Sequence, residues 1–173
     1  MSHVVLVLGG ARSGKSAYAE SRLHDVEDVT YVATMLPGDP EVDARIAAHR
    51  ARRPTAWRTV DAGAHVVSAL RTAGVHEGLL LDGFELAMSL AEPRNEAAAR
   101  RLAEDVAGAV RSVARTVGVV VSAEAGLGVV PSTAAGFFFR DRLGAANQVL
   151  AADADEVVLV VAGLPLWLKG SAG

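Results

Sequence analysis

Residues 4–16 read VVLVLGGARSGKS: an unbroken apolar run, then a G-x-x-x-x-G-K-[ST] pattern from Gly9 to Ser16. The next residues, AYAESRL, suit a helix. Strand, glycine-rich turn and helix in that order are the context in which this pattern forms a phosphate cradle, a P-loop. Gly9 and Gly14 let the backbone curl so that successive N–H groups converge on phosphate oxygens. The helix that follows adds partial positive charge at its start. The candidate cradle is therefore Gly9, Gly10, Ala11, Arg12, Ser13, Gly14, Lys15 and Ser16. Lys15 supplies a point charge for the β and γ phosphates, and the Ser16 hydroxyl can sit on Mg2+. The motif points to a nucleoside triphosphate and says nothing of what is done with it.

Outward from the motif, apolar runs alternate with helix-period segments, the pattern of repeated βα units. Strands are expected over 4–8, 29–34, 79–81, 117–121 and 157–161, with a more exposed one over 56–61. Helices are expected over 15–23, 41–52, 64–72, 96–115 and 133–151, with Pro93 and Asn95 marking the start of the fourth. The C-terminal GLPLWLKGSAG reads as a short strand or tail, its last residues loose. Near-continuous apolar strands are those of a parallel sheet covered on both faces. The fold class expected is α/β, P-loop NTPase-like (RecA-like), with residues 1–173 forming one domain.

Composition narrows the function classes. Hydrophobic residues make up 51% of the chain and aromatics 5%, so the core is Val, Leu and Ala. The chain has no cysteine, which excludes disulfides, thiolate metal sites and a cysteine nucleophile. A net charge of −3 gives no electrostatic reason to expect nucleic acid as a partner. Neither a secretory signal nor a membrane span is present, and a cytoplasmic protein is expected.

A P-loop needs an acid to place magnesium. Asp82 ends the LLLD run, at the C-terminal end of a strand where ligands gather in open α/β sheets. Its alternative is to cap whatever follows. Glu124 ends another strand beside a glycine-rich loop and is either a site residue or a turn residue.

Of the five histidines, His3, His24, His65 and His76 read as surface or capping residues. His49 differs. Helical spacing stacks Glu41, Arg45, His49 and Arg52 or Arg53 on one face. This cationic stripe is either a solvated helix face or a catalytic one. In the second case the guanidinium groups keep the imidazole neutral and nucleophilic, able to attack phosphorus.

The combined blocks resemble a known family, the bifunctional adenosylcobinamide kinase / adenosylcobinamide-phosphate guanylyltransferases of cobalamin biosynthesis. The blocks are GGARSGKS, YVAT (31–34), ARIAAHRARRPTAWRTVD (44–61), LLLD (79–82), EAGLGVVP (124–131), FRDRLGAANQVLAADADEVVLVVAG (139–163) and LWLKG (166–170). The resemblance implies that His49 carries GMP covalently. It implies guanine-nucleotide contacts from the cradle, from Ala33, Thr34 and Met35, and from Arg50, Ala51, Arg52 and Arg53. It extends them to Asp61 and Asp82, which are glutamates in the family. Ser16 and Asp82 become the metal residues, and His49 and Lys15 the catalytic pair. It also implies Mg2+ as cofactor, GTP or ATP as substrate, adenosylcobinamide and its phosphate as acceptors, and a homotrimer with LPLWLKG as contact surface. The stretch between Gly83 and Asn95 diverges from the family. A plain P-loop kinase without a covalent step and a nucleotide-dependent regulatory module remain the alternatives.

Overall fold

The computed structural model describes residues 2–171; of Arg45 only the backbone is described. Its order of elements is β1 (His3–Gly9), α1 (Lys15–Ser21), β2 (Val29–Ala33), α2 (Pro40–Arg52), β3 (Arg58–Asp61), α3 (Val66–Thr72), β4 (His76–Asp82), α4 (Phe84–Ala91), α5 (Glu96–Val113), β5 (Ala114–Ala123), α6 (Ala134–Asp153), β6 (Glu156–Val161) and β7 (Leu164–Lys169). The seven strands form one sheet in the order β3-β2-β4-β5-β1-β6-β7. All neighbours are parallel except β7, which returns antiparallel along β6. This is the P-loop NTPase-like α/β architecture expected.

Alternation along the strands builds two cores. Val4, Leu6, Leu8, Leu79 and Leu81 face α3, α4, α5 and α6. Val5, Val7, Tyr31, Leu80, Val119 and Val121 face α1. Asn95 caps α5 by accepting from the Ala98 N–H. Thr133 caps α6 through the Gly136 N–H. By contrast α2 has no buried residue among those whose side chains are described. Asp39 caps it, accepting from Glu41 and Val42, and Pro40 occupies its first position.

Apart from shifts of a few residues at element ends, such as β4 starting at His76 and β5 spanning Ala114–Ala123, the departures from the expected elements have local causes. An extra helix, α4, occupies 84–91, where none was expected; Phe84, Ala87 and Met88 recur at helical spacing and are buried. The first exposed strand starts at Arg58, because Trp57 N–H closes a turn on the Pro54 carbonyl. Helix α3 starts at Val66, since Ala62–His65 form a turn with Gly63 at φ 51°. Helix α5 stops at Val113, and Ala114 passes straight into β5. His76 is also no surface residue. It is 4% exposed, with Nδ1 3.1 Å from Asp28 and Nε2 2.7 Å from the Ala73 carbonyl. The C-terminal segment is strand β7, and the residues at 172–173, expected to be loose, lie outside the described ones. No helix among the described residues is long and apolar enough to cross a membrane.

Gly118 marks close approach of helix to sheet. A Cβ on Gly118 would lie 2.5 Å from Val110 Cγ1, a stiff β-branched side chain in buried α5. Gly118→Ala is expected to cost about 1–3 kcal/mol by forcing α5 off the sheet. Urea denaturation checks this, and a loss under about 0.5 kcal/mol contradicts such tight packing.

Candidate active site

The parallel register brings strand ends together. Asp61, Ala33 and Asp82 form one cross-strand row over β3, β2 and β4, with Val121 of β5 next to Asp82. Gly9 closes β1 one strand further on, and the Glu124 N–H donates to its carbonyl. A cavity of about 730 Å³ opens over these ends. A second, more open depression lies on α3, away from the P-loop, and brings no acid–histidine cluster together.

The P-loop takes the shape its glycines allow. Gly14 sits at φ 94° and Arg12 at φ 57°, both left-handed. A side chain on Gly9 would meet Ser13 Oγ at 2.4 Å and the Val160 carbonyl at 2.9 Å. The turn between β6 and β7 braces the loop from outside, where the Gly163 N–H donates to the Ser13 carbonyl at 2.8 Å. Lys15 Nζ folds onto the Gly10 carbonyl at 3.4 Å. Ala11, Arg12, Ser13, Gly14, Lys15 and Ser16 line the cavity; Gly9 and Gly10 shape the loop from behind without lining it.

Asp82 is the hub. Its side chain is 8% exposed. Oδ1 accepts from Ser16 Oγ at 3.0 Å, and Oδ2 from the Tyr31 hydroxyl at 2.7 Å. His49 Nδ1 stands 3.6 Å from the same Oδ2. Burial alone pushes the Asp82 carboxyl up; donors from His49, Tyr31 and Ser16 overcome this and hold it below the ordinary aspartate value. Burial raises the Tyr31 phenol, and the neighbouring Asp82 charge raises it further, so it stays a donor. Thr34 fixes the backbone here, donating to the carbonyls of Asp82 and Gly83 at 2.9 and 2.8 Å. Gly83 allows that approach: it sits at φ 94°, and a Cβ would fall 2.6 Å from Thr34 Oγ1.

The histidine helix is held by charge. Arg52 reaches Glu20 of α1 through Nε at 3.3 Å and Nη2 at 3.4 Å. Arg53 stacks on the Tyr31 ring with 3.6 Å to its centroid, and donates to the His49 carbonyl at 3.1 Å. Arg50 lies 4.0 Å from Asp61. Among the described residues the stripe is therefore not a free cationic face: Arg52 pairs with Glu20, and His49 Nδ1 lies between Arg52 Nη2 at 3.4 Å and Asp82 Oδ2 at 3.6 Å. The Arg45 side chain lies outside the described residues.

Of the other expected residues, Ala33, Thr34, Met35, Arg50, Arg52, Arg53 and Asp61 line the cavity and Ala51 does not. Glu124 takes the turn role, its Oε1 accepting from the Gly126 N–H at 2.8 Å. Sequence reasoning assigned no role to Glu20, Tyr31 or Glu85. Glu85, in the first turn of α4, lines the cavity and accepts from the Ala123 N–H at 3.1 Å. Burial pushes its carboxyl up, and the Lys15 charge partly offsets this. Glu20, His49 and Asp82 are the one acid–histidine group among the described residues close enough to share a cation.

A family model described as cobinamide kinase / cobinamide phosphate guanyltransferase matches residues 5–168. The bifunctional adenosylcobalamin biosynthesis protein CobU of Salmonella typhimurium is 38% identical, over 96% of this chain and 99% of its own length. The corresponding protein CobP of Pseudomonas aeruginosa is 37% identical, over 95% of this chain and 96% of its own length. Among solved structures, the P4 protein of bacteriophage phi13 aligns with a TM-score of 0.46 at 13% identity, covering 95% of this chain and 53% of that chain.

Tyr31→Phe tests the hub. It removes a donor from the ionised carboxylate and brings the folded pKa of Asp82 back toward its unfolded value. The stabilisation from a lowered pKa exists above the ordinary value of about 4 and is lost as pH falls through the folded value. The variant, free of nucleotide and metal, is expected to be about 1–3 kcal/mol less stable at pH 7, with the deficit shrinking on acidification. Urea denaturation at neutral and acidic pH checks this; an equal deficit at both contradicts it.

Proposed function

The chain belongs to the cobinamide kinase / cobinamide phosphate guanyltransferase family and is an enzyme of that kind, and we propose that it runs both reactions at the Asp82 site, with His49 carrying GMP. The observation behind this reading is the shared carboxylate: Asp82 joins Ser16 of the P-loop to His49 of α2. A triphosphate held in the cradle then presents its phosphates to a histidine 33 positions beyond Ser16 in sequence yet beside it in space.

In the kinase reaction the loop amides and Lys15 hold the triphosphate while its γ-phosphoryl passes to the hydroxyl of adenosylcobinamide. This is positioning and charge neutralisation. In the guanylyl reaction a ring nitrogen of His49 attacks the α-phosphorus of GTP and pyrophosphate leaves. Adenosylcobinamide phosphate then takes the GMP from the histidine, giving adenosylcobinamide-GDP. Arg50, Arg52 and Arg53 line the same cavity and face developing negative charge.

Ser16 Oγ and Asp82 Oδ1, 3.0 Å apart, are oxygen donors of the kind Mg2+ takes, so the residues fit that ion. Bound there, magnesium neutralises charge on the β and γ phosphates. We place the protein in the cytoplasm, with its nucleotide substrates. We also read it as a homotrimer, supported by the exposed Leu164, Leu166 and Leu168 on edge strand β7.

GTP labelled at the α-phosphate is expected to leave base-stable, acid-labile label on the protein. His49→Ala should lower that label by about 10³-fold or more while phosphorylation of adenosylcobinamide persists. Undiminished label in the variant removes His49 from the role. Loss of both activities in a folded variant makes it structural or shared. Light scattering should give three chain masses; a single-chain mass contradicts the trimer.

A further inference from the structure

We infer that His49 carries GMP on Nε2, because Asp82 holds the other ring nitrogen and acts as the positioning residue for guanylyl transfer. The inference rests on His49 being the GMP carrier and adds which atom bonds to phosphorus and why.

Two groups crowd Nδ1: Asp82 Oδ2 lies 3.6 Å away and Arg52 Nη2 3.4 Å away. Among the described residues no hydrogen-bonding group is in reach of Nε2. A phosphoryl group on Nδ1 would set its oxygens against a buried carboxylate, an arrangement in which like charges repel at low dielectric. The same carboxylate favours Nε2 chemistry on two grounds. It is the carboxylate nearest Nδ1, at 3.6 Å, and a proton held between them fixes the tautomer with the lone pair on Nε2. It also faces the positive charge that the ring gains when Nε2 is phosphorylated and Nδ1 keeps its proton.

Arg52 is the competing partner for Nδ1, since it too could donate there. Its Nε and Nη2 are already directed at Glu20, and its side chain is 44% exposed, so water can satisfy it. Asp82 has no such recourse at 8% exposure. The proton therefore belongs between Nδ1 and Asp82.

The step balances without an added base. The Nε2 lone pair forms the N–P bond while the bond from the α-phosphorus to the bridging oxygen breaks, and pyrophosphate departs with that electron pair. In the second half an acceptor phosphate oxygen attacks, the N–P bond breaks, and its pair returns to Nε2. The Nδ1 proton stays in place throughout. The two carboxylate oxygens divide the work: Oδ1 faces Ser16, and Oδ2 faces Tyr31 and His49.

Proton–phosphorus correlation NMR on the GTP-treated protein reads the linkage directly. Phosphorus on Nε2 couples to both ring C–H protons, whereas phosphorus on Nδ1 couples to one. Two correlations are expected; a single one overturns the inference and leaves His49 as carrier. No histidine-bound phosphorus at all overturns the underlying reading, and the inference with it. Nitrogen NMR of the His49 ring in the nucleotide-free protein tests Asp82 separately. Asp82→Asn can donate to Nδ1, so it should move the proton to Nε2 and slow guanylylation by about 10²-fold or more, as wrong-tautomer variants do elsewhere. Asp82→Glu should restore the Nδ1–H form. An Asp82→Asn protein that keeps the Nδ1–H tautomer overturns the positioning role.

Discussion

A carboxylate buried as deeply as Asp82 must be surrounded by donors, and that requirement organises the molecule around it. The donors come from the first turn of α1, from the middle of β2 and from α2, elements distant in sequence. Each is aimed by something else. Ser16 follows the left-handed Gly14, Tyr31 is packed in the α1-side core, and Thr34 ties the Asp82 backbone to the end of β2. Among its described side chains helix α2 has no buried residue to hold it. Its position over the strand ends rests on polar contacts, the Arg52–Glu20 pair and the Arg53–Tyr31 stack among them. His49 is thus delivered to Asp82 by charge and not by apolar packing.

The rest of the scaffold supplies rigidity. Placing β5 between β1 and β4 separates the P-loop strand from the Asp82 strand by one strand, close enough for a serine side chain to span the gap. The C-terminal hairpin has a part in the site although it lies at the edge. Its turn donates to the Ser13 carbonyl, and Gly163 packs where a side chain on Gly14 would point. The β6–β7 connection therefore holds the outer wall of the cradle in shape.

Much of this was legible before any coordinates. The P-loop was, because its geometry is local: glycine, lysine and serine at fixed spacing after a strand carry the whole meaning. The core strands were, because burial on both faces leaves them almost wholly apolar. Helix α4 was missed because FELAMSLA is short and mostly apolar, so its period is hard to see beside a shortened, divergent stretch. His76 does cap the end of α3, at the Ala73 carbonyl, but its burial was not legible because its partner Asp28 is remote in sequence. Tyr31 and Glu20 failed for the same reason: their roles depend on which strands pair and on where α2 lies, which spacing along the chain does not contain. The arginine stripe was visible, but the pairing of Arg52 with Glu20 was not.

The central claim is that one carboxylate makes the phosphate cradle and the histidine a single site. A crystal structure with a GTP analogue that cannot be cleaved between the α and β phosphates tests it most directly. The account predicts the triphosphate on the loop from Gly9 to Ser16, the α-phosphorus in line with His49 Nε2, and Asp82 against Nδ1. A triphosphate seated elsewhere, or seated in the cradle with His49 turned away from it, would contradict the account.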